Sequence, residues 1–233
     1  MNSYSHSGEQ KWPFQKGQKW PFWTATSAFR LVTMLVHPWD AAPPAEWREW
    51  LRDGHDFGQL IVPGRERDLP VVVPTHFTLD HADENTVWLH LARPNPVWRA
   101  LDERPRAMLS VVSDYTFIPS DWNGGVPTSY YAAVLLECDV RVVDDPAEKA
   151  VILNRQLGHF QPGVREDVDS SERLLSGIRG IQLTVTGATA KFKYGGNKST
   201  EVRAKVAERL VQRDGPFDRA AARHVGETLT QPT

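Results

Sequence analysis

Apolar and polar positions alternate through most of the middle of this chain, and that spacing predicts short strands joined by turns. Phe57 to Val62, Leu69 to Phe77 and Thr86 to Leu91 are runs rich in Val, Leu and aromatic residues. They are separated by Pro63-Gly64 and by the acidic turn Asp80-His81-Ala82-Asp83-Glu84-Asn85. Ala107 to Val112, the long run Tyr130 to Val143, and Ile181 to Tyr194 extend the series. Helical spacing interrupts it at defined places. Trp47, Trp50 and Leu51 follow Asp40 and Pro43-Pro44 and stop at Gly54, while Pro96 opens a helix carrying Val97, Trp98 and Leu101. Asp144-Asp145-Pro146 starts a helix over Ala147 to Phe160, Ser170 to Ser176 reads as helical, and Ser199-Thr200 caps a charged helix ending near Arg213. Many short strands with helices inserted late predict an α+β, mainly β fold, a closed or half-closed barrel rather than a parallel α/β sheet.

The first 33 residues follow neither period. Gln10-Lys11-Trp12-Pro13-Phe14 recurs as Gln18-Lys19-Trp20-Pro21-Phe22 in a Ser/Gln/Gly-rich setting, too short a repeat for a solenoid. Residues 1–33 are expected to be a flexible extension without chemistry, and an internal start at Met34 is its plainest account. Residues 34–233 are expected to form the folded domain, with a C-terminal helical segment from about 196.

Composition narrows the classes. A chain of 233 residues with 40% hydrophobic content supports one full core. Its 27 basic and 29 acidic residues leave a net charge of -2 and no basic stripe, so nucleic acid is not an expected partner. The single cysteine, Cys138, excludes an intrachain disulfide and a thiolate metal cluster, and fits a reducing, cytoplasmic location. No run approaches the roughly 18 apolar residues of a spanning helix, and no secretory leader pattern opens the chain.

Motif chemistry is mostly excluded. No glycine fingerprint follows a strand, and neither an HExxH helix nor a G-x-S-x-G elbow is present. Asp114, Asp121 and Glu137 are too scattered in sequence to read as a carboxylate pair. Two histidines stand out, His76 in Pro74-Thr75-His76-Phe77 and His90 in Trp88-Leu89-His90-Leu91, because each interrupts an apolar strand where a buried ring needs a partner. A hydrogen-bonded core imidazole accounts for either one alone. His90 is followed at a strand-to-helix junction by Arg93, Asn95 and Trp98, a set that offers a metal ligand, a cation, an amide and an aromatic wall.

Four ordered segments carry a family resemblance: His90-Leu91-Ala92-Arg93-Pro94-Asn95-Pro96-Val97-Trp98, Tyr115-Thr116-Phe117-Ile118-Pro119-Ser120-Asp121-Trp122, Val126-Pro127-Thr128-Ser129-Tyr130-Tyr131-Ala132-Ala133-Val134, and Lys191-Phe192-Lys193 through Asn197. Together they resemble the PaiB-like family of FMN-binding negative transcriptional regulators, from Met34 to the C-terminal helix. The resemblance implies a split β-barrel of the flavin-reductase and pyridoxamine-phosphate-oxidase type, usually dimeric, with its cofactor cleft at the subunit boundary. Three departures separate this chain from the family's pattern. Arg93 alone remains of the phosphate-binding Ser/Arg/Lys cluster of the wider superfamily, V-P-T-W-N-Y reads Val126 to Tyr131 with Ser129-Tyr130, and K-L-S-Q-N reads Lys193-Tyr194-Gly195-Gly196-Asn197.

With those departures the chain is similar to the piperazate synthase branch, haem proteins of nonribosomal peptide pathways that close N5-hydroxy-L-ornithine to L-piperazic acid. That similarity implies haem b, with FMN as the alternative cofactor, and a homodimer. It implies His90 as axial iron ligand with His76 as the fallback, Arg93 and Asn95 near the propionates, and Trp98 supporting the wall. Tyr130 and Lys193 are the candidates for proton donor and base. Strand alternation gives Tyr130 and Tyr131, and Lys191 and Lys193, an equally good account as packed and solvated neighbours. Two further classes stay open, a transcriptional regulator and a flavin- or haem-dependent oxidoreductase on the same barrel. The one basic helix, Arg203 to Arg213, mixes Glu208 with its cations, which suits a solvated face better than a DNA-reading one.

Overall fold

The computed structural model describes residues 34–163, Val168 and residues 171–230, so the extension expected over residues 1–33 lies outside the described residues. The alternating runs become β1 (Phe57–Val62), β2 (Val71–His76), β3 (Thr78–Leu79), β4 (Thr86–Ala92), β5 (Arg106–Ile118), β6 (Thr128–Val143) and β7 (Ile178–Lys193). All pair antiparallel in one sheet of order β2-β1-β5-β6-β7-β4-β3. β2 and β3 stand at opposite edges of that sheet, yet only Phe77 separates them in sequence. The sheet must therefore roll until its edges nearly meet, and Phe77, fully buried, fills the seam. This is the split barrel, with a core of inward residues such as Leu60, Leu89, Leu109, Leu136, Ile181 and Leu183. Each fully buried side chain of that size contributes roughly 1.5–3 kcal/mol.

The helices are α1 (Pro44–Arg52), α2 (Val97–Glu103), α3 (Pro146–Phe160), α4 (Glu172–Ser176), α5 (Thr200–Arg213) and α6 (Asp218–Thr230). Pro44 opens α1, and Asp145 caps α3 by accepting the Glu148 amide, as Ser199 caps α5 by accepting that of Val202. α3 lies across β4 and β7, and it comes close because Gly180 faces it. A Cβ at Gly180 would stand 2.6 Å from Ile152 Cδ1. The C-terminal hairpin α5–α6 packs on the barrel through Val206, Leu210, Ala221 and Val225. Arg213 and Thr116 both donate to Asp218, which ties the hairpin to β5.

Three elements differ from the sequence expectation. β3 is two residues long, too short for a period to show. β5 continues past Val112 to Ile118 because a β-bulge at Asp114-Tyr115, with Asp114 in the left-handed region at φ 57°, absorbs the break in alternation. The C-terminal segment holds a second helix, α6, beyond Arg213.

Candidate functional site

Rolling the sheet brings β2 against β4, and with them the two histidines. The rings of His76 and His90 meet edge to face with centroids 5.4 Å apart, and Phe160 at the end of α3 meets His76 at 4.9 Å. Burial, reinforced by the neighbouring His90, lowers the pKa of His76 and keeps it neutral. His90 Nδ1 lies 2.5 Å from Gln156 Oε1. Gln156 is itself buried on α3, and its amide nitrogen donates to the Trp88 carbonyl, which points Oε1 at the ring. His90 therefore donates through Nδ1 and keeps the Nε2 lone pair for another partner, the arrangement an iron-ligating imidazole needs. Among the described residues no group of three or more His, Cys, Asp or Glu is set to hold a metal ion. One anchored imidazole suits a metal whose other ligands come from a macrocycle.

The β4–α2 turn carries the remaining expected cofactor contacts. Asn95 Oδ1 accepts the Val97 amide at 3.0 Å and so opens α2. Trp98 is buried, donates from its indole to the Ala92 carbonyl at 3.1 Å, and is covered by the Arg179 guanidinium at 4.8 Å. Arg93 donates to the Ser176 carbonyl at 2.9 Å and faces Asp144 at 3.7 Å, with half of its side chain exposed. Arg93 is thus the member of this set that presents charge to solvent, while Asn95 and Trp98 hold the turn that presents it.

Tyr130 and Lys193 stand elsewhere. His90 pairs with Gly180 near one end of β7, whereas Tyr131 pairs with Lys193 at the other. At the ordinary rise per residue that separation is roughly 40 Å of strand path. Within one chain they do not join the histidines. They line a pocket of about 240 Å³ together with His37, Asp40, Asn123, Thr128 and Lys198. Lys193 Nζ donates to Thr128 Oγ1 at 3.0 Å. Tyr130 is 1% exposed, its hydroxyl has no partner among the described residues, and burial pushes its pKa up to about 12. Asn123 gives its amide N–H to the Val126 carbonyl at 2.8 Å, which leaves Oδ1 as a buried acceptor without a partner. Burial raises the Asp40 carboxyl, and Lys191, His37 and Lys193 offset it through space. The Gly195-Gly196 turn closes this pocket, because a Cβ at Gly195, where φ is +76°, would collide with the Tyr130 hydroxyl, and one at Gly196 with the Trp39 carbonyl.

Sequence reading passed over Gln156, Asp40 and Asn123, and it left Asp114 among scattered carboxylates. The structure gives the last of these a packing role, not a place in a carboxylate pair. Asp114 accepts from Trp50 Nε1 at 3.0 Å, His55 Nε2 at 3.2 Å and His224 Nε2 at 3.3 Å, tying α1, the loop before β1 and α6 to the bulge of β5. The signal available for it was the broken alternation at Ser113-Asp114-Tyr115.

No curated protein matches the sequence. Among solved structures, the flavocytochrome Anf3 from Azotobacter vinelandii is similar at 20% identity, covering 67% of this chain and 71% of that one with a TM-score of 0.54. The FAD and heme binding protein from Mycobacterium smegmatis is similar at 21% identity over 66% of this chain and 76% of its own, with a TM-score of 0.51. These likenesses establish the shared barrel. Residues 35–187 match the family described as "Putative FMN-binding domain", a stretch that holds the histidine pair, the β4–α2 turn and Tyr130. With more than half of its length so matched and the barrel in place, the chain belongs to that FMN-binding split-barrel family.

Proposed function

We propose that this chain binds haem b through His90 and works as a piperazate synthase, closing N5-hydroxy-L-ornithine to L-piperazic acid with loss of water. The observation that carries the haem assignment is the anchored imidazole of His90, held by Gln156 with Nε2 left available. His76 beside it, neutral and 5.4 Å away, is the fallback ligand. Arg93 is placed to pair with a propionate, exchanging its contact with Asp144, on the turn that Asn95 and Trp98 support. Relatives of the same barrel named a flavocytochrome and an FAD and heme binding protein support a haem on this scaffold.

Bound haem would supply a Lewis-acidic iron that polarises the N–O bond of the hydroxylamine. The α-nitrogen attacks N5, the N–O bond breaks, and the oxygen leaves as water, with no net redox change. One proton must reach that oxygen, and one must leave the α-ammonium. Tyr130, kept protonated by burial, and Lys193 beside the same pocket are the residues placed to handle these two protons. Because these residues stand at the far end of β7 from His90, the reaction site is assembled from two chains of a homodimer. Val112, Tyr115 and Phe117 on β5, each half or more exposed, support such an apolar interface.

The test is the visible spectrum of protein expressed with a haem precursor, followed by a hydroxyornithine cyclisation assay. A Soret band in the wild type that is lost in His90→Ala and kept in His76→Ala is the expected result. A flavin spectrum supports the alternative, an FMN-binding regulator or oxidoreductase of this family, and overturns the iron chemistry.

A further inference from the structure

We infer that the Tyr130 pocket is a binding site for the head group of a small α-amino acid, its carboxylate toward Lys193 and Lys198 and its ammonium toward Asp40 and Asn123. The inference rests on the reading of Tyr130 and Lys193 as reaction-site residues and does not depend on haem. The large majority of buried side-chain polar atoms in folded proteins have a hydrogen-bond partner. Here Tyr130 Oη and Asn123 Oδ1, on residues 1% and 3% exposed, have none among the described residues, and both belong to the wall of one pocket. Leaving each unpaired is a standing cost to the empty fold. Two such groups in one place, beside a carboxylate 4% exposed, mark a cavity shaped for a guest that completes them.

Size and charge then identify the guest. The pocket's roughly 240 Å³ falls below the roughly 300 Å³ at which cavities begin to hold drug-sized molecules, so a haem or flavin ring does not fit inside it. Phosphate suits the lysines but meets Asp40 and the Asn123 acceptor, both of which repel it. A diamine suits Asp40 and Asn123 but leaves the lysines without an anion. A zwitterion with both groups on one carbon satisfies both sides, and the Tyr130 hydroxyl, donor and acceptor at once, bonds to either of them.

Calorimetric titration of the full-length protein with L-ornithine tests this directly. L-ornithine is expected to bind, and 5-aminopentanoate, which lacks the α-ammonium, and 1,4-diaminobutane, which lacks the carboxylate, to bind about tenfold more weakly or worse, the loss of one charge-assisted hydrogen bond. Asp40→Asn and Lys193→Met are expected to weaken L-ornithine by a similar factor. Tyr130→Phe should weaken it while leaving thermal stability equal or higher, because the substitution removes an unpaired buried hydroxyl; a merely structural tyrosine would not change binding. Failure of L-ornithine to bind a folded wild type, equal binding by Asp40→Asn, or preferential binding of inorganic phosphate overturns the proposal. L-ornithine binding without a Soret band would remove the haem reading and leave this pocket standing. A Soret band without L-ornithine binding would do the reverse.

Discussion

Asp114 and Asp40 are buried to the same degree, each 4% exposed, and are treated in opposite ways. Around Asp114 three nitrogen donors converge from α1, the loop before β1 and α6. Around Asp40 no comparable donor arrives among the described residues; its charge is balanced through space, and the polar atoms of Tyr130 and Asn123 nearby lack partners among the same residues. A buried carboxylate met by several donors works as a fastener, since the fold itself repays its desolvation. A buried carboxylate left in a cavity beside other unpaired groups destabilises the empty fold, and a ligand that pairs with it relieves that cost. Burial alone therefore does not tell structure from function; the count of partners does. Tyr194, stacked on His224 at 4.5 Å with its own hydroxyl lacking a partner among the described residues, breaks the contrast.

Paired substitutions at the two aspartates put this contrast under the greatest strain. Asp114→Ala strands the Trp50 indole N–H and two imidazoles, and is expected to cost roughly 3–5 kcal/mol, the usual effect of removing one partner from a buried charged set. For a domain of this size that is a fall in Tm of about 10 °C or more. Asp40→Asn removes a charge without breaking a side-chain bond to any of the described residues, and is expected to leave Tm unchanged or raised. Differential scanning calorimetry on the two variants decides the matter; a large loss at both positions would show that Asp40 is as much a fastener as Asp114.

Acid and base should separate the two sites next. Burial works to raise the Asp114 carboxyl, and the bonds from His224, His55 and Trp50 outweigh it, holding it far below the usual carboxylate range. Its contribution is present above the unfolded value near 4 and is lost as pH falls through the acid range. Burial likewise works to lower His55, and Asp114 with the Trp50 carbonyl outweighs it, so that the imidazole is raised. That contribution is complete below about pH 6.5 and fades as pH rises past the folded value. The clamp is thus strongest between about pH 4 and 6.5. Asp40, raised by burial, has the opposite sign and favours the folded state as it protonates. Stability curves of Asp114→Asn should lose the fall above pH 6.5 expected of the wild type; curves that still overlay the wild type there would remove His55 from the clamp.

Much of the barrel was legible because alternation over six or more residues is a local property. Phe57–Val62 is placed as read, Thr86–Ala92 is extended by one residue, and the helix ending at Phe160 starts at Pro146 rather than Ala147. What was hidden depends on closure. That His76 touches His90 follows from β2 and β4 meeting across the seam, and that Lys193 lies far from His90 follows from their positions along β7. Gln156 carried no signal, since a glutamine in an amphipathic helix is ordinary until the helix is laid across β4. The unpaired state of Tyr130 and Asn123 is a fact of three dimensions alone.

The smallest predicted effect concerns Asn95, which stands between the two kinds of site. Its Oδ1 accepts the Val97 amide and opens α2, a capping bond worth about 1 kcal/mol, so Asn95→Ala should lower Tm by roughly 2–4 °C. That loss says nothing about a cofactor. Asn95→Asp does, because aspartate caps a helix as well as asparagine does while replacing the amide by a negative charge. If Asn95 neighbours a propionate, this variant should fold with the wild-type Tm yet retain less haem on dialysis, through repulsion between two carboxylates. Retention equal to wild type would assign Asn95 to the fold alone, on the Asp114 side of the comparison, and would leave Arg93 as the residue of this turn that answers to the cofactor.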